Sequence, residues 1–321
     1  MDTDKNKEVP RNGTSYIMAP HSGSWRMPVR IRKQARKFIQ AERYKRLCSI
    51  IAEAEAAKRI QRRTGGRKGL KEPLNKKYGF TGETKAVPGH VLHRIRALTS
   101  FGDVNAGELG GWIEKESNLD ATGDAWISGE AQAYGDVWVF GSARISGYAE
   151  ITGSARISGR AEITGNTRIS GDAVITGSAR ISGYARISDY AVITGSARIF
   201  GYAEITGNTR TSGDAVISGD ARVSGNACVY KRGAIFWISA VGSRNDTATF
   251  FACMDKKIRV QVGCFIGGLD EFAAAVKKTH GDNTHAKVYR LAAEMAKERI
   301  KMDDMPSFAD DAEQAEGEDA P

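Results

Sequence analysis

The stretch that decides the fold is Gly141–Thr164, "GSARISGYAEITGSARISGRAEIT". It repeats one six-residue phrase four times: Gly, a variable residue, Ala, a long polar residue, Ile, then Ser or Thr. Within "A-R-I-S" the side chains alternate, with Ala and Ile on one side and Arg and Ser on the other, which is the period of a strand. The next two positions, Gly plus Asp, Asn, Ser or Tyr, are turn chemistry. The phrase extends in both directions without a slip. Every sixth residue from Ile127 to Val229 is Ile or Val, apart from Ala133 and Thr211. Four residues after each comes a small one, and Gly fills the turn position from Gly123 to Gly225, with Asp189 the single exception.

A four-residue strand and a two-residue corner, repeated unchanged, never supply a distinct hairpin turn. They can wind into a prism in which each coil hydrogen-bonds to its neighbours. A helix is excluded, because a six-residue period does not hold one face at 3.6 residues per turn and each Gly would cost about 1 kcal/mol.

The phrase "I-T-G-S-A-R" resembles the hexapeptide repeat of left-handed parallel β-helices. That resemblance implies three hexads per coil and a left-handed winding, hence about six coils in a prism roughly 29 Å long at about 4.8 Å per coil. The preceding stretch, "KKYGFTGETK…VLHRIRALTSFGDVNAGELGGWIEKESNL" (Lys76–Leu119), is similar to the leading segment of uncharacterised hexapeptide-repeat proteins of bacteria and their prophages, some labelled acetyltransferase-like. The likeness covers about residues 76–228. It implies a phage- or prophage-type protein, working in the host cell cytoplasm if phage-encoded.

Composition adds limits. The 321 residues are 41% hydrophobic, so the chain as a whole is not disordered. No stretch approaches the ~20 apolar residues of a membrane span, and "MDTDKNKEVPRNG" has no apolar signal-peptide core. Four scattered cysteines suit a reducing compartment. The expectation is a cytoplasmic protein with no membrane partner. The net charge of +9 is unevenly spread: residues 1–88 hold 22 Lys+Arg against 8 Asp+Glu, and residues 303–321 hold 8 acids and no base.

The expected architecture is mainly β. A basic N-terminal arm (1–75) carries one amphipathic helix, read from "RIRKQARKFIQAERYKRLCSIIAEAEAAKRIQRR" (30–63) with its stripe of Phe38, Ala41, Tyr44, Leu47, Ile51 and Ala54. Residues 76–120 should cap the prism, because open strand ends invite aggregation. The hexad prism runs over 121–229. A small α+β domain over 230–302 comes next, with three antiparallel strands in "AIFWISAV", "TATFFACM" and "IRVQVGCFI" and two helices. The first helix should bury Leu269, Phe272 and Val276 and stop at Gly281. The second should be capped by Thr284 and bury Val288, Leu291 and Met295. Residues 303–321 read as a disordered acidic tail.

Hexapeptide acyltransferases, which this chain resembles in its coils, place a catalytic His on the prism and extrude a loop for the acyl donor. Here His21, His90, His93, His280 and His285 all lie outside 121–228, and no loop breaks the hexads. A carbonic-anhydrase-like zinc site would need three His ligands. Cys253, Cys264, His280 and His285 lack the close Cys pair of a zinc site. The expectation is therefore a non-catalytic scaffold or interaction protein with no catalytic residue, metal or cofactor. An acyltransferase is one alternative and a nucleic-acid-associated accessory protein another.

Sorting outward residues by coil gives three faces. One is a charge ladder of Gln132, Glu150, Arg168, Arg186, Glu204 and Arg222. A second runs from Trp126 to Val216. The third carries Trp138, Phe140, Arg156, Val174, Val192, Arg210, Cys228 and Tyr230 and is the most apolar, and its Trp138, Phe140, Val174, Val192 and Tyr230 are the candidate face for a protein partner or for self-association. The competing reading places Trp138 and Phe140 beneath the N-terminal cap. In the basic arm, Arg32, Lys33, Arg36, Lys37, Arg43, Lys45, Arg46, Arg62 and Arg63 are candidates for non-specific contact with nucleic-acid phosphates. Finally, "GSARISGRAEITGNTRISGDAVIT" (153–176) nearly recurs at 195–218. That offset is seven hexads, so the copy lands on different faces, as suits interchangeable hexads better than a fixed groove.

Overall fold

The computed structural model describes residues 76–303 and Met305. The helix expected over 30–63, the nine basic residues Arg32 to Arg63 and the acidic tail beyond Met305 lie outside the described residues. After a three-stranded cap come eighteen two-residue strands, β4 (Trp126–Ile127) to β21 (Cys228–Val229). Every third strand joins the same sheet, pairing in parallel with the strand one coil further on, as in Glu162↔Arg180 and Ile163↔Ile181. The result is a three-sided β-solenoid. The first sheet runs from β5 (Gln132–Ala133) to β20 (Arg222–Val223), the second from β4 to β19 (Val216–Ile217) and the third from β6 (Trp138–Val139) to β21.

The inward columns carry the fold. Ile145, Ile151, Ile157 and their successors are at most 1% exposed, as is the Ala column between them. Burying one Ile side chain contributes about 1.5–3 kcal/mol, and each coil supplies up to three. Backbone N–H groups donate to carbonyls of the next coil, for example Arg168 N to Ala185 O at 2.9 Å. The coil's polar backbone is thus satisfied along the prism axis.

The corners explain the glycines. Those from Gly123 to Gly225 all have positive φ, between 59° and 77°. At Gly165 an added Cβ would lie 2.8 Å from both the amide N and the carbonyl O of Gly183 in the next coil. Glycine is required there twice over, by backbone conformation and by the approach of the neighbouring corner.

The cap is built by β1 (Tyr78–Val87), β2 (His90–Ala97) and β3 (Leu109–Ile113), which continue the first sheet to nine strands. β1–β2 and β2–β3 are antiparallel, whereas β3 runs parallel to β5. The pairs Trp112↔Gln132 and Leu119↔Val139 are spaced more widely along the chain than the regular coil pairs such as Gln132↔Glu150. So β3 opens an irregular additional turn, and the solenoid has about seven turns, not six. Trp126, 2% exposed, lies under the rings of Tyr78 and Phe101. Lys77 closes this end: its Nζ donates to Ala125 O at 2.6 Å and sits over the Phe101 ring. Burial lowers its pKa to about 8, with Asp120 and Asp124 opposing that shift.

At the far end the structure departs from the expectation in both the sheet and the helices. The strand expected over 258–266 is a hairpin, β24 (Ile258–Val262) and β25 (Phe265–Gly268), reversing at Gly263, whose φ of 55° admits the tight turn. With β22 (Ile235–Val241) and β23 (Asp246–Ala252) the sheet has four strands. Helix α1 (Leu269–His280) buries Phe272 and Val276 and ends at Gly281, as expected, whereas Leu269 at its start is only half-buried. Helix α2 (Thr284–Arg299) is capped by Asn283, whose side chain accepts from Ala286 N at 3.0 Å, and not by Thr284. Its buried face is Ala286, Tyr289, Ala292 and Ala296, while Leu291 and Met295 are exposed. The Tyr289 ring fills the space against Phe272, and the small residues above and below it let the helix lie close to its neighbours.

This region plugs the last coil. Arg222 N donates to Thr249 Oγ1, Ser224 Oγ donates to Gln261, and Ala227 bridges Cys253. One apolar core runs from the cap through the coils to Phe250, Phe251 and Phe272.

Candidate binding surfaces

The third sheet presents the residues singled out for a partner. Trp138 is 43% exposed and stacks on Phe140, with ring centroids 4.1 Å apart. Both therefore lie outside the cap, and Trp126 is the tryptophan beneath it. Down the same sheet Trp138 pairs with Arg156, Arg156 with Val174, and Val174 with Val192. Phe140, Val174 and Val192 are half-buried. Tyr230 does not belong to this surface. It is 8% exposed, and its hydroxyl donates to Lys301 O, because the chain after Ile300 packs across the end of the prism. Cys228, next in the column, is likewise buried.

The first sheet carries a feature that sorting only the strand residues missed. The corner residues leading into it form their own column of Glu130, Tyr148, Asn166, Tyr184, Tyr202 and Asp220, each one coil from the next. Tyr184 and Tyr202 stack in parallel, 5.0 Å apart with 9° between their planes. Beside them run Arg168, Arg186, Glu204 and Arg222 on the strands. Asn166 and Asp220 close the ends, and the eight side chains line an open groove of about 380 Å³. The sequence signal was present: applying the same sort by coil to the corners gathers Tyr148, Tyr184 and Tyr202 on one edge.

Where the cap meets the first sheet there is a polar cluster. His90 Nδ1 lies 2.9 Å from Glu114 Oε1, and the other Glu114 oxygen accepts from Gly135 N at 2.8 Å. These bonds, that to His90 first, hold the Glu114 carboxyl below its usual range. The His90 ring packs on Tyr134, whose hydroxyl donates to Glu150. Burial, then that bond, pushes Tyr134 up to about 12. A His–carboxylate pair is the arrangement that orients a general base, but here both members tie the hairpin to the solenoid.

Cys253 is buried and Cys264 exposed, and both are free thiols. Among the described residues no group of three or more His, Cys, Asp or Glu is placed to hold a metal ion. No helix among them is long and apolar enough to cross a membrane. A scan against models of protein families returns no match, and a search of curated proteins returns none either. The likeness to hexapeptide-repeat proteins accordingly rests on the repeat and its leading segment.

Proposed function

We propose that this protein is a non-catalytic solenoid scaffold that engages a protein partner, or a second copy of itself, through its third sheet. The supporting observation is the exposed Trp138–Phe140 stack, continued by Val174 and Val192 on the same sheet. Arg156 separates the stack from Val174, so the surface is two apolar patches around one charge, and exposed apolar patches rimmed by polar residues are where partners dock. The resemblance of residues 76–228 to bacterial and prophage hexapeptide-repeat proteins favours the cytoplasm of a bacterial cell as the site of action.

Light scattering on the full chain, with photocrosslinking from Val174 in living bacteria, tests this reading. The expected result is a dimer or a crosslinked partner, lost in Trp138→Arg, with no adduct from Arg198, exposed on the second sheet. A monomer that gives no adduct at Val174 overturns it. Transfer of acetyl from acetyl-CoA to an acceptor by the purified protein would favour the acyltransferase alternative instead.

A further inference from the structure

We propose that the groove on the first sheet binds an extended, uncharged oligosaccharide. This is a second binding site, independent of the third sheet. Its walls are made only of phenol rings and planar polar groups. Asn166, Glu204 and Asp220 offer carboxamide or carboxylate oxygens, and the arginines offer forked N–H donors. Such flat, two-pronged groups match neighbouring hydroxyls on a sugar ring, which donate and accept at once. Tyrosine rings add amphipathic surface for the C–H face of a pyranose.

Charge selects against a polyanion. Arg168 is answered by Glu150 at 3.5 Å and Arg222 by Glu204 at 3.6 Å. Nucleic-acid binding draws its affinity from uncompensated Lys and Arg, each neutralising a phosphate. In this groove three arginines face two acids within the lining, and the third acid, Glu150, adjoins it. Arg186 alone of the three makes no ion pair among the described residues, and it lies beside the tyrosine stack. It is the donor available to a ligand.

Shape selects for a chain. The lining repeats once per coil, at about 4.8 Å, through Asn166, Tyr184, Tyr202 and Asp220. That interval is comparable to the rise per unit of an extended glycan. The Tyr184–Tyr202 pair is flanked by Asn166 on one side and Asp220 on the other, so each ring keeps one side that its partner does not occupy. The cavity volume lies at the small-ligand end of the usual range of about 300–1,000 Å³, as fits a few sugar units and not a folded domain.

The experiment is surface plasmon resonance on the full-length protein with hexamers of β-1,4-glucose, β-1,4-N-acetylglucosamine and β-1,4-mannose, followed by a broad array of neutral glycans. At least one glycan is expected to bind with Kd below about 1 mM and more weakly as its dimer. Arg186→Ala should weaken it about tenfold, the loss of one charged hydrogen bond. Tyr202→Asn, which installs the residue this corner column already has at Asn166, should weaken it too, and Trp138→Arg should leave it unchanged. Both groove positions face outward, so unchanged melting temperatures will show that the fold is intact. Failure of every glycan to bind, or binding indifferent to both groove variants, overturns the proposal. So does a single-stranded DNA 12-mer or polyglutamate binding the groove more tightly than any glycan.

Discussion

The carboxylate of Asp189 accepts a hydrogen bond from the backbone N–H of Gly207, one coil further on, at 2.8 Å. Asp189 alone replaces glycine at the positive-φ position of the corners between Gly123 and Gly225, and it holds φ at 61° as the glycines do. Aspartate tolerates this region better than most residues, because its short side chain can bond locally. Asp189→Ala should raise the conformational cost and lose the bond, destabilising by about 1–2 kcal/mol. Asp189→Asn, which retains an acceptor, should cost less. Urea unfolding of both variants checks the order.

Thr211 stands where the other coils place Ile or Val. It is 1% exposed, and its hydroxyl finds no hydrogen-bond partner among the described residues. Valine has nearly the same shape and no hydroxyl to desolvate. Thr211→Val should therefore stabilise the fold by about 1–2 kcal/mol. A midpoint that stays put or falls in chemical denaturation would contradict this account of the core.

Corner glycines should differ according to what stacks on them. At Gly165 an added methyl meets the backbone of Gly183, whereas at Gly225 nothing lies within 4 Å. Both have positive φ, so alanine costs each about 1–2 kcal/mol. Gly165→Ala should cost clearly more than Gly225→Ala, since it must also push two coils apart. Paired thermal melts measure the difference.

Alkaline pH should weaken the contribution of the buried thiol to stability. Burial pushes Cys253 up to about 12, while an unfolded thiol titrates near about 8.5. The folded protein keeps a proton that the unfolded chain sheds. The stability from the neutral thiol is complete below pH about 8.5 and declines as pH rises toward about 12. Lys77 works the other way. Its pKa falls to about 8 on folding, so stability rises between there and its unfolded value of about 10.4. Cys253→Ala should accordingly lose less stability than the parent between pH 9 and 10.5, and Lys77→Met should lose more. Urea midpoints across that window read both signs.

Much of the architecture comes from the hexad alone. Its period of six, with Ile and Ala inward and Gly at the corner, dictates strand, corner and parallel stacking, because each is a local consequence of residue type repeated without interruption. The coil of three hexads came from a family resemblance, and the pairing of Ile163 with Ile181 confirms it. The plug was less legible. "IRVQVGCFI" reads as one strand until Gly263 turns it back, and α2 turns its alanines inward and leaves Leu291 and Met295 outside. Hydrophobicity named the larger residues, but the space left beside Tyr289 chose the smaller.

The sequence by itself determined that this chain winds, what fills its interior and which side chains face outward, since alternation and corner chemistry act within a single hexad. Only the tertiary structure decided which outward residues stay accessible. Tyr230 is covered by the end of the plug, and Trp126 by the cap, while Trp138 escapes both. Tyr184 and Tyr202, a full coil apart in the chain, become a stacked pair beside Arg186 only when one coil lies on the next. A binding surface on a solenoid is a column across coils, and its members meet through the stacking of the backbone, not through any local preference.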